Sequence, residues 1–562
     1  MKHLVDELLD VARSTPDVVA LRWFGGRDGG RVREEVTFGG LAERVERTAA
    51  ALRALGMEPG DRVLFSIRPR PEGVVLCLAV LRAGGAVVFV DPGSTPELFA
   101  ARIAAARPRW AATEALLYAA SSGPLRGIAR SRGLLLPDYG QLPVRHLYTG
   151  RWLPGVPRGA HRVARLVRAV PGTVQAPEEV AEADREALVV FTSGTTSDPK
   201  AVVHTARTLG GMLDLFAQVG DLKSGQRAHT DQMFLGLPAI IAGGTWEIPA
   251  KAPKDAPEAF ARGVAGADSS FLVPADVTAL LDVLEAGSDA GPAASAAGPA
   301  VLAVGAAPVT VALLERGRRV LPGTRWLAVY GATEILPAAV TDADEKIAAA
   351  AAGDLVGRPL GGIGVRIDTE AARDPADPGD PEDSADPDDA REVGELVLTG
   401  PSLMAGYLAD LDAGGARAVE HRTGDLAYQD AEGWIVLVGR NRDMIIRGTV
   451  NIYPGLFEPR LRALPGVADA VLVGVPVPDG DERVVLVVTA EGGTREAGAP
   501  VVRTGTELAR AVADQVAQVL DHGALPDLVV EATYLPVAGR SRKPDRRALV
   551  NLVSPLTGTV RA

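Results

Sequence analysis

A segment of small hydroxyl residues, glycine and one lysine has the composition of a phosphate-binding loop. It reads Phe191-Thr-Ser-Gly-Thr-Thr-Ser-Asp-Pro-Lys200 and follows Ala187–Val190, an apolar run with the pattern of a buried strand. Such residues let backbone N–H and side-chain O–H groups surround an anion, and Lys200 adds a positive charge. No Gly-Lys-Ser/Thr sequence follows, so the segment is not a Walker loop. Composition alone fits a flexible polar loop equally well.

The elements before this segment alternate between helical and strand patterns. Apolar residues recur at helical spacing in Leu41–Leu55, which ends at Gly56, and again in Gly73–Ala83. Arg62–Ile67 and Ala86–Val90 are short apolar runs typical of strands. The alternation predicts βαβ units and a mostly parallel sheet. In such sheets ligands bind beyond the carboxyl ends of the strands.

Length and charge limit the classes of function. The chain has 562 residues, too many for one ordinary core, so we expect at least two domains. Its net charge of −12 argues against a nucleic-acid-binding surface. Much of the negative charge lies in Ala371–Ala390, and we predict that residues 373–391 form a disordered acidic loop. The Ala/Gly/Pro-rich stretch Ala286–Ala300 is predicted to be a surface loop.

The single cysteine and the apolar segments bear on the compartment. Cys77 cannot form a disulfide within the chain, which suits a reducing environment, and its apolar neighbours indicate a core residue. Met1–Ala20 lacks the apolar core of a signal peptide. The apolar stretch Val74–Val90 is interrupted by Arg82 and by Gly84-Gly85. We therefore predict a cytoplasmic protein without stable membrane insertion.

Several segments, in a fixed order along the chain, resemble the motifs of one enzyme superfamily. Each is moderately specific, and the ordered set is very specific. Besides the segment ending at Lys200, they are Val304-Gly-Ala-Ala-Pro308, Tyr330-Gly-Ala-Thr-Glu334, Arg422-Thr-Gly-Asp425, Gly439-Arg440 with Asp443–Gly448 and Asn451–Pro454, and Leu535–Leu549 around Lys543. The set resembles the adenylate-forming superfamily of acyl-CoA synthetases, peptide-synthetase adenylation domains and luciferases.

The resemblance implies a fold and a reaction. The expected fold is a multi-layer α/β N-terminal domain, residues 1–441, with a β-rich portion near its end. A small mobile α+β domain, residues 442–562, is expected to follow and to carry the catalytic lysine. The implied reaction is activation of a carboxylic acid by ATP and Mg²⁺ to an acyl adenylate, in a cleft between the two domains.

The resemblance also assigns roles to individual residues. Lys543, Thr333 and Glu334 are expected to be catalytic, with Glu334 holding Mg²⁺ and Thr333 contacting the α-phosphate. Tyr330 is expected to stack on adenine, Asp425 to bind the ribose hydroxyls, and Arg442 to be the hinge. The remaining expected nucleotide-binding residues are Thr192, Ser193, Gly194, Thr195, Thr196, Lys200, Gly305, Ala306, Ala307, Gly331 and Arg440.

Three further residues are candidates for the acyl pocket. Met233 stands where many acyl and aryl ligases have a histidine, three residues before Gly236, and Leu235 is next to that glycine. His204 is predicted to line the nucleotide or acyl pocket. Neither His204 nor His229 has a cysteine or histidine at metal-ligand spacing, so we do not expect zinc.

Other departures from the family pattern concern the second half-reaction. Ser197 and Ala201 replace glycines of the phosphate segment, Thr449 replaces a second glycine after Gly448, and Arg542 precedes the catalytic lysine in place of glycine. A residue forced to positive φ at such a position is strained.

Three fates of the acyl adenylate remain open. The segments Val90–Gly93, Tyr330–Pro337 and Val356–Pro359 resemble the β-lactone synthetases of bacterial olefin biosynthesis, in which a β-hydroxyl closes onto the activated carboxyl. Gly439–Pro454 resembles a standard acyl-CoA synthetase instead. Transfer to CoA is the first expectation, with an acyl-carrier protein or lactone formation as alternatives. A degenerate nucleotide binder without turnover is a further alternative.

Overall fold

A computed structural model of the chain defines its elements, which are numbered here in chain order. The structure describes residues 4–26, 29–90, 96–131, 136–169, 182–191, 200–288, 297–307, 309–349, 354–369, 393–440, 445–447, 450–452, 454–477, 482–491, 500–520, 524–538 and 543–557. Within these ranges no helix is both long and apolar enough to cross a membrane.

The first sheet contains most of the N-terminal strands. Its inner strands pair in parallel, whereas β9 pairs antiparallel with both of its neighbours. Across the sheet the order is β19 (Gly406–Tyr407), β9 (Ala201–Thr205), β8 (Glu186–Phe191), β4 (Ala86–Phe89), β3 (Arg62–Ser66), β5 (Trp110–Glu114), β6 (Arg145–Thr149) and β7 (His161–Arg162). The predicted parallel βαβ arrangement of this region is confirmed.

The second sheet is larger and changes character along its width. From β11 to β14 the strands pair in parallel, and from β14 to β17 they pair antiparallel, which is the β-rich portion expected near the end of the large domain. The order is β17 (Gly364–Asp368), β18 (Gly394–Thr399), β20 (His421–Gln429), β21 (Ile435–Arg440), β16 (Asp354–Pro359), β15 (Ile335–Asp342), β14 (Arg325–Ala332), β13 (Val301–Val304), β12 (Ser269–Leu272), β10 (Arg227–His229), β11 (Thr245–Ile248), β1 (Val19–Gly25) and β2 (Arg31–Thr37).

Residues beyond 445 form sheets of their own. Strand β24 pairs antiparallel with β25, and β25 pairs in parallel with β27. The strands of the main C-terminal sheet are β24 (Val467–Pro476), β25 (Glu482–Ala490), β27 (Leu528–Ala532) and β26 (Val502–Thr504). Two small hairpins are β22 (Ile445–Arg447) with β23 (Val450–Ile452), and β28 (Val537–Ala538) with β29 (Lys543–Pro544).

The helices lie between the strands and cover the sheets. They are α1 (Leu4–Ser14), α2 (Phe38–Ala54), α3 (Pro71–Arg82), α4 (Pro96–Ala106), α5 (Ala115–Ser121), α6 (Arg126–Ser131), α7 (Val163–Ala169), α8 (Ala206–Val219), α9 (Met233–Ile241), α10 (Pro257–Val264), α11 (Pro274–Ser288), α12 (Val311–Val320), α13 (Ala343–Ala348), α14 (Leu408–Asp412), α15 (Pro454–Arg462), α16 (Glu507–Gln515) and α17 (Arg546–Thr557).

Local chemistry explains several element boundaries. Helix α2 begins after Thr37, whose hydroxyl accepts a hydrogen bond from the N–H of Gly40, and the chain leaves it through Gly56 at a φ of +87°. Helix α3 is buried on nearly every side, which explains its unbroken apolar run. Within it Cys77 is fully buried, and burial raises the pKa of its thiol to about 12, as expected for an inert core residue.

Two loop predictions have different outcomes. Helix α11 continues to Ser288, so the predicted surface loop Ala286–Ala300 is wrong at its first three residues. The apolar face of α11, including Val277, Leu280 and Leu281, is buried, and that packing extends the helix into the Ala/Gly-rich stretch. The acidic stretch 373–391 lies outside the described residues.

Gly236 allows α9 to pack directly on β11. A β-carbon at this position would lie 1.9 Å from Cε2 of the fully buried Trp246. We expect Gly236→Ala to lower the free energy of unfolding by about 3 kcal/mol, because the indole must move in a filled core. Urea denaturation followed by tryptophan fluorescence measures this change. The matched control is Gly210→Ala in α8, where a β-carbon meets no atom within 4 Å, and where stability should stay level or rise.

Candidate active site

The turn between β14 and β15 places Glu334 at the carboxyl edge of the parallel strands. Ala332 pairs with Ile335, so Thr333 and Glu334 are the two residues at the tip of the hairpin. The Glu334 carbonyl accepts a 2.7 Å hydrogen bond from the N–H of Met404, which fixes the backbone behind the carboxylate. The tip therefore presents Glu334 beyond the strand ends, where α/β sheets bind ligands.

The Glu334 carboxylate has two neighbouring side chains. Tyr407 donates a hydrogen bond from Oη to Oε1 at 3.0 Å, and Nε2 of His421 lies 4.0 Å from Oε2. Burial raises the pKa of Tyr407, and the nearby Glu334 charge raises it further, so the phenol is a protonated donor at neutral pH. Burial lowers the pKa of His421, against the opposing effect of Glu334. Glu334 is thus held as an oriented, largely buried acceptor.

Lys200 reaches the same group of side chains. Its Nζ lies 5.0 Å from the centroid of the Tyr407 ring, within the range of a cation–π contact. Phe191 and Ala201 are paired partners of β8 and β9, so the two ends of the predicted phosphate segment are held together. Lys200 and Glu334, far apart in sequence, therefore meet around Tyr407.

A second carboxylate is held by a second tyrosine. Tyr330 donates from Oη to Oδ2 of Asp425 at 2.6 Å. The Asp425 N–H donates to Oγ1 of Thr423 at 3.1 Å, and the Thr423 hydroxyl donates to the carbonyl of Leu396 at 2.8 Å. Asp425 also pairs in register with Arg440 on the neighbouring strand. The predicted adenine-stacking residue and the predicted ribose acceptor are thus directly bonded to each other.

The arginine of the Arg422–Asp425 segment has a structural role. Its guanidinium lies 2.7 Å from Asp368 and 2.9 Å from Glu395, and Glu395 also accepts a hydrogen bond from the N–H of Gly424 at 3.2 Å. Gly424 has a φ of +74°, a conformation that glycine adopts without strain. These contacts fix the turn that presents Asp425.

The turn after β13 brings the backbone close to β14. A β-carbon on Gly305 would lie 2.9 Å from the Val329 carbonyl, and Ala306 adopts a φ of +65°. A non-glycine residue in this region costs about 1 kcal/mol, a strain often found at ligand sites. Ala307 continues the same turn. Gly331 lies on the next strand, where a β-carbon would lie 2.8 Å from Leu336.

His204 differs from its expected place at a pocket wall. It is 1% exposed, and Nε2 donates to the Thr333 carbonyl at 2.8 Å while Nδ1 lies 3.3 Å from the Thr208 hydroxyl. Burial lowers its pKa, so the neutral ring is the stable form in the folded chain. His204 thus supports the Thr333–Glu334 turn from its buried side.

The lowered pKa of His204 makes part of the stability depend on pH. Its contribution is full above the unfolded pKa of about 6.5 and is lost as pH falls towards the lower folded pKa. We expect His204→Gln, which keeps a donor for Thr333, to lose less stability than wild type between pH 7.5 and 5.5. Urea denaturation at both pH values measures the difference, and an equal loss in both proteins would contradict the assignment.

The acyl-pocket candidates lie at the start of α9. Met233 is buried and begins the helix, and Leu235 packs at the border of the same core. The preceding strand β10 is parallel to β12, which links to β13 and β14, so α9 starts at the same edge as Glu334. Both residues therefore lie at the same edge of the sheet as the turn that carries Glu334.

Ala201 lies in β9 with ordinary strand geometry, so its departure from the family's glycine causes no strain there.

The side chains of several other predicted residues are outside the described part of the structure. Lys543 begins β29 and Arg440 ends β21, and only their backbones are described. Thr192, Ser193, Gly194, Thr195, Thr196, Ser197, Arg442, Thr449 and Arg542 lie outside the described residues.

Sequence reasoning missed two side chains that contact Glu334. Tyr407 belongs to the short segment Gly406-Tyr407, and His421 directly precedes the Arg422–Asp425 segment. For His421 the sequence did offer a signal, because this residue lies next to a recognised motif. Nothing in the spacing of Tyr407 indicates a contact with residues 73 positions away.

The family match, the similar sequences and the similar solved structure all point to the same kind of enzyme. Residues 8–408 match the family described as AMP-binding enzyme. An olefin beta-lactone synthetase from Xanthomonas campestris pv. campestris is 30% identical over 93% of this chain and 94% of its own length. A CoA ligase from Mycobacterium tuberculosis that acts on a methyl-dioxo-octahydroindenyl propanoate is 30% identical over 78% of this chain and 80% of its own length. The solved amide bond synthetase McbA from Marinactinospora thermotolerans superimposes with a TM-score of 0.72 at 24% identity, covering 98% of this chain and 99% of that chain.

Proposed function

Because the chain belongs to the AMP-binding enzyme family, we propose that it activates a carboxylic acid with ATP, forming an acyl adenylate and releasing pyrophosphate. The observation that carries the proposal is the convergence of Glu334, Tyr407 and Lys200 at the tip of one hairpin. A carboxylate and an ammonium group beside one tyrosine suit a polyphosphate with its bound cation.

In this reaction one carboxylate oxygen attacks the α-phosphorus of ATP. The new bond joins that oxygen to phosphorus, the bond to the bridging oxygen of the β-phosphate breaks, and pyrophosphate leaves with the electron pair. Positioning and charge neutralisation dominate such transfers. We assign Lys200 to the β- and γ-phosphates and Thr333 to the α-phosphate.

The residues present fit a magnesium ion. The described residues contain no group of three or more His, Cys, Asp or Glu that could hold a metal by protein side chains alone, so substrate and water would have to complete the coordination. Mg²⁺ is commonly bound by one or two carboxylates together with substrate phosphates and water, so Glu334 alone is a sufficient protein ligand. When bound, Mg²⁺ neutralises phosphate charge. Tyr407 contacts Oε1 of the carboxylate, and Nε2 of His421 lies 4.0 Å from Oε2, beyond hydrogen-bond distance.

The Tyr330–Asp425 pair supports the nucleoside end of the site. An ionised Asp425 accepts hydrogen bonds from vicinal ribose hydroxyls, and Tyr330 holds the carboxylate in one orientation through the 2.6 Å bond. We assign the base to the turn at Gly305 and Ala306, where the backbone packs closely on β14.

We assign Lys543 to adenylation alone. In this proposal residues 442–562 move as a unit about Arg442 after the adenylate forms, which removes Lys543 from the site and admits the acceptor. The charge of a lysine suits the α-phosphate, where negative charge must be neutralised as the acid attacks. Loss of exchange in Lys543→Ala supports this role, and retained exchange contradicts it.

For the second step we propose capture by a β-hydroxyl of the same acyl group. The full-length similarity to an olefin beta-lactone synthetase favours it over the partial coverage of the CoA ligase. The hydroxyl oxygen attacks the activated carbonyl carbon, AMP leaves with the bonding pair, and the hydroxyl proton is released. The second candidate is a CoA thioester, for which the similarity to a CoA ligase is the supporting observation.

The test is carboxylate-dependent ATP–pyrophosphate exchange over β-hydroxy, aryl and medium-chain acids. Mass spectrometry of the products, with and without CoA, follows for every acid that supports exchange. A product formed without CoA that has lost one water from the β-hydroxy acid and has no free carboxyl group establishes lactone closure, because the isomeric unsaturated acid would keep its carboxyl group. A CoA-dependent thioester establishes the second candidate. Nucleotide binding without exchange by any acid contradicts the proposed catalysis.

A further inference from the structure

Tyr407 contacts both of the charged groups assigned above to the metal and the phosphates. Its hydroxyl donates to Oε1 of Glu334 at 3.0 Å, and its ring centroid lies 5.0 Å from Nζ of Lys200. The side chain is about half-buried, with its hydroxyl on Glu334 and its ring beside Lys200. One side chain therefore bridges an anion and a cation that must act on the same ligand.

The backbone around Tyr407 is fastened to the same two elements. The N–H of Met404 donates to the Glu334 carbonyl at 2.7 Å, and the N–H of Ala405 donates to the Val203 carbonyl at 2.7 Å. Tyr407 itself pairs with Val202 in β9, two residues after Lys200. The segment is thus tied to the hairpin tip on one side and to the strand that follows Lys200 on the other.

We propose that Tyr407 is a positioning residue that sets the Glu334 carboxylate and the Lys200 ammonium group at a fixed separation for a magnesium–polyphosphate ligand. This inference rests on the proposed function, and it adds a residue to which the sequence motifs gave no role. The hydroxyl orients the carboxylate that binds the cation. The ring holds the ammonium group that binds the phosphates.

The two parts of the side chain can be separated by substitution. Tyr407→Phe removes the hydroxyl and keeps the ring, so it releases Glu334 and leaves the contact to Lys200. Tyr407→Leu removes both. Groups that hydrogen-bond to a metal ligand commonly change metal affinity by about 10- to 100-fold when removed.

The experiment measures binding of α,β-methylene-ATP by calorimetry, with Mg²⁺ and then with EDTA. For Tyr407→Phe we expect the Kd with Mg²⁺ to rise about tenfold and the Kd in EDTA to stay within about twofold of wild type. For Tyr407→Leu we expect the Kd to rise under both conditions, because Lys200 has also lost the ring. For Tyr407→Phe, the Mg²⁺ concentration for half-maximal pyrophosphate exchange should rise together with the Kd measured in Mg²⁺.

The matched control is Tyr118→Phe. Tyr118 bonds through Oη to Nδ1 of His146 at 2.8 Å and lies in α5, so its loss tests the general cost of removing a buried tyrosine hydroxyl. It should leave both Kd values unchanged. If Tyr407→Phe binds the Mg²⁺ complex within twofold of wild type, or weakens equally in EDTA, the positioning role is wrong. If wild type itself binds no nucleotide, the proposed function fails first.

Discussion

Replacing Glu334 by glutamine is expected to lower ATP–pyrophosphate exchange about a thousandfold while the protein remains folded. The amide is nearly isosteric, and its oxygen can still accept the hydrogen bond from Tyr407. What it removes is the negative charge that we assign to Mg²⁺ binding. Loss of one preorganised group that neutralises charge costs about 100- to 1,000-fold, and a metal ligand lies at the upper end.

The measurement is the initial exchange rate across a range of Mg²⁺ concentrations, with thermal unfolding as a check of folding. Glu345→Gln is the control, because Glu345 is a capping residue of α13 and its side chain bonds to the N–H of Asp342. Glutamine also serves in a capping box, so this variant should keep wild-type exchange. Exchange by Glu334→Gln within tenfold of wild type would remove Glu334 from the metal site.

Replacing Asp425 by asparagine is expected to raise the KM for ATP about a hundredfold and to change kcat much less. The side chain keeps an oxygen for the Tyr330 hydroxyl, but a neutral amide accepts weaker hydrogen bonds from ribose than a carboxylate does. Binding lost equally in the ground state and the transition state appears in KM. Steady-state exchange against ATP concentration measures both constants.

A double-mutant cycle with Tyr330→Phe separates the two residues. If the 2.6 Å hydrogen bond orients Asp425, Tyr330→Phe alone should raise the KM for ATP about tenfold, and the double variant should be less impaired than the product of the single effects. Fully multiplicative effects would show that the two residues bind the nucleotide independently. A normal KM in Asp425→Asn would overturn the ribose assignment.

Both predictions concern a carboxylate that accepts a hydrogen bond from a tyrosine. Glu334 accepts from Tyr407, and Asp425 accepts from Tyr330, so each carboxylate at the site is oriented by a tyrosine from another strand. An oriented carboxylate loses less conformational entropy when its ligand binds, which favours tight and specific binding. His204 adds a third support by bonding the Thr333 carbonyl from the buried side.

Sequence patterns predicted the elements of the large sheets with small errors at their ends. The helical pattern Leu41–Leu55 corresponds to α2, and the strand patterns near Arg62 and Ala86 correspond to β3 and β4. These elements are buried on one face or on both, and burial imposes a periodicity that a single sequence displays. The error at Ala286–Ser288 arose because tertiary packing of α11 outweighed a composition that resembles a loop.

The motifs by themselves determined the family, the adenylating chemistry and the candidate residues, because adenylation requires particular side chains at short, recognisable spacings. Only the tertiary structure decided which of those residues touch. It paired Tyr330 with Asp425, moved His204 from a pocket wall to a support of Thr333, and placed Tyr407 between Glu334 and Lys200. The physical reason is that these contacts join residues distant in sequence, through strand pairing that local composition does not encode.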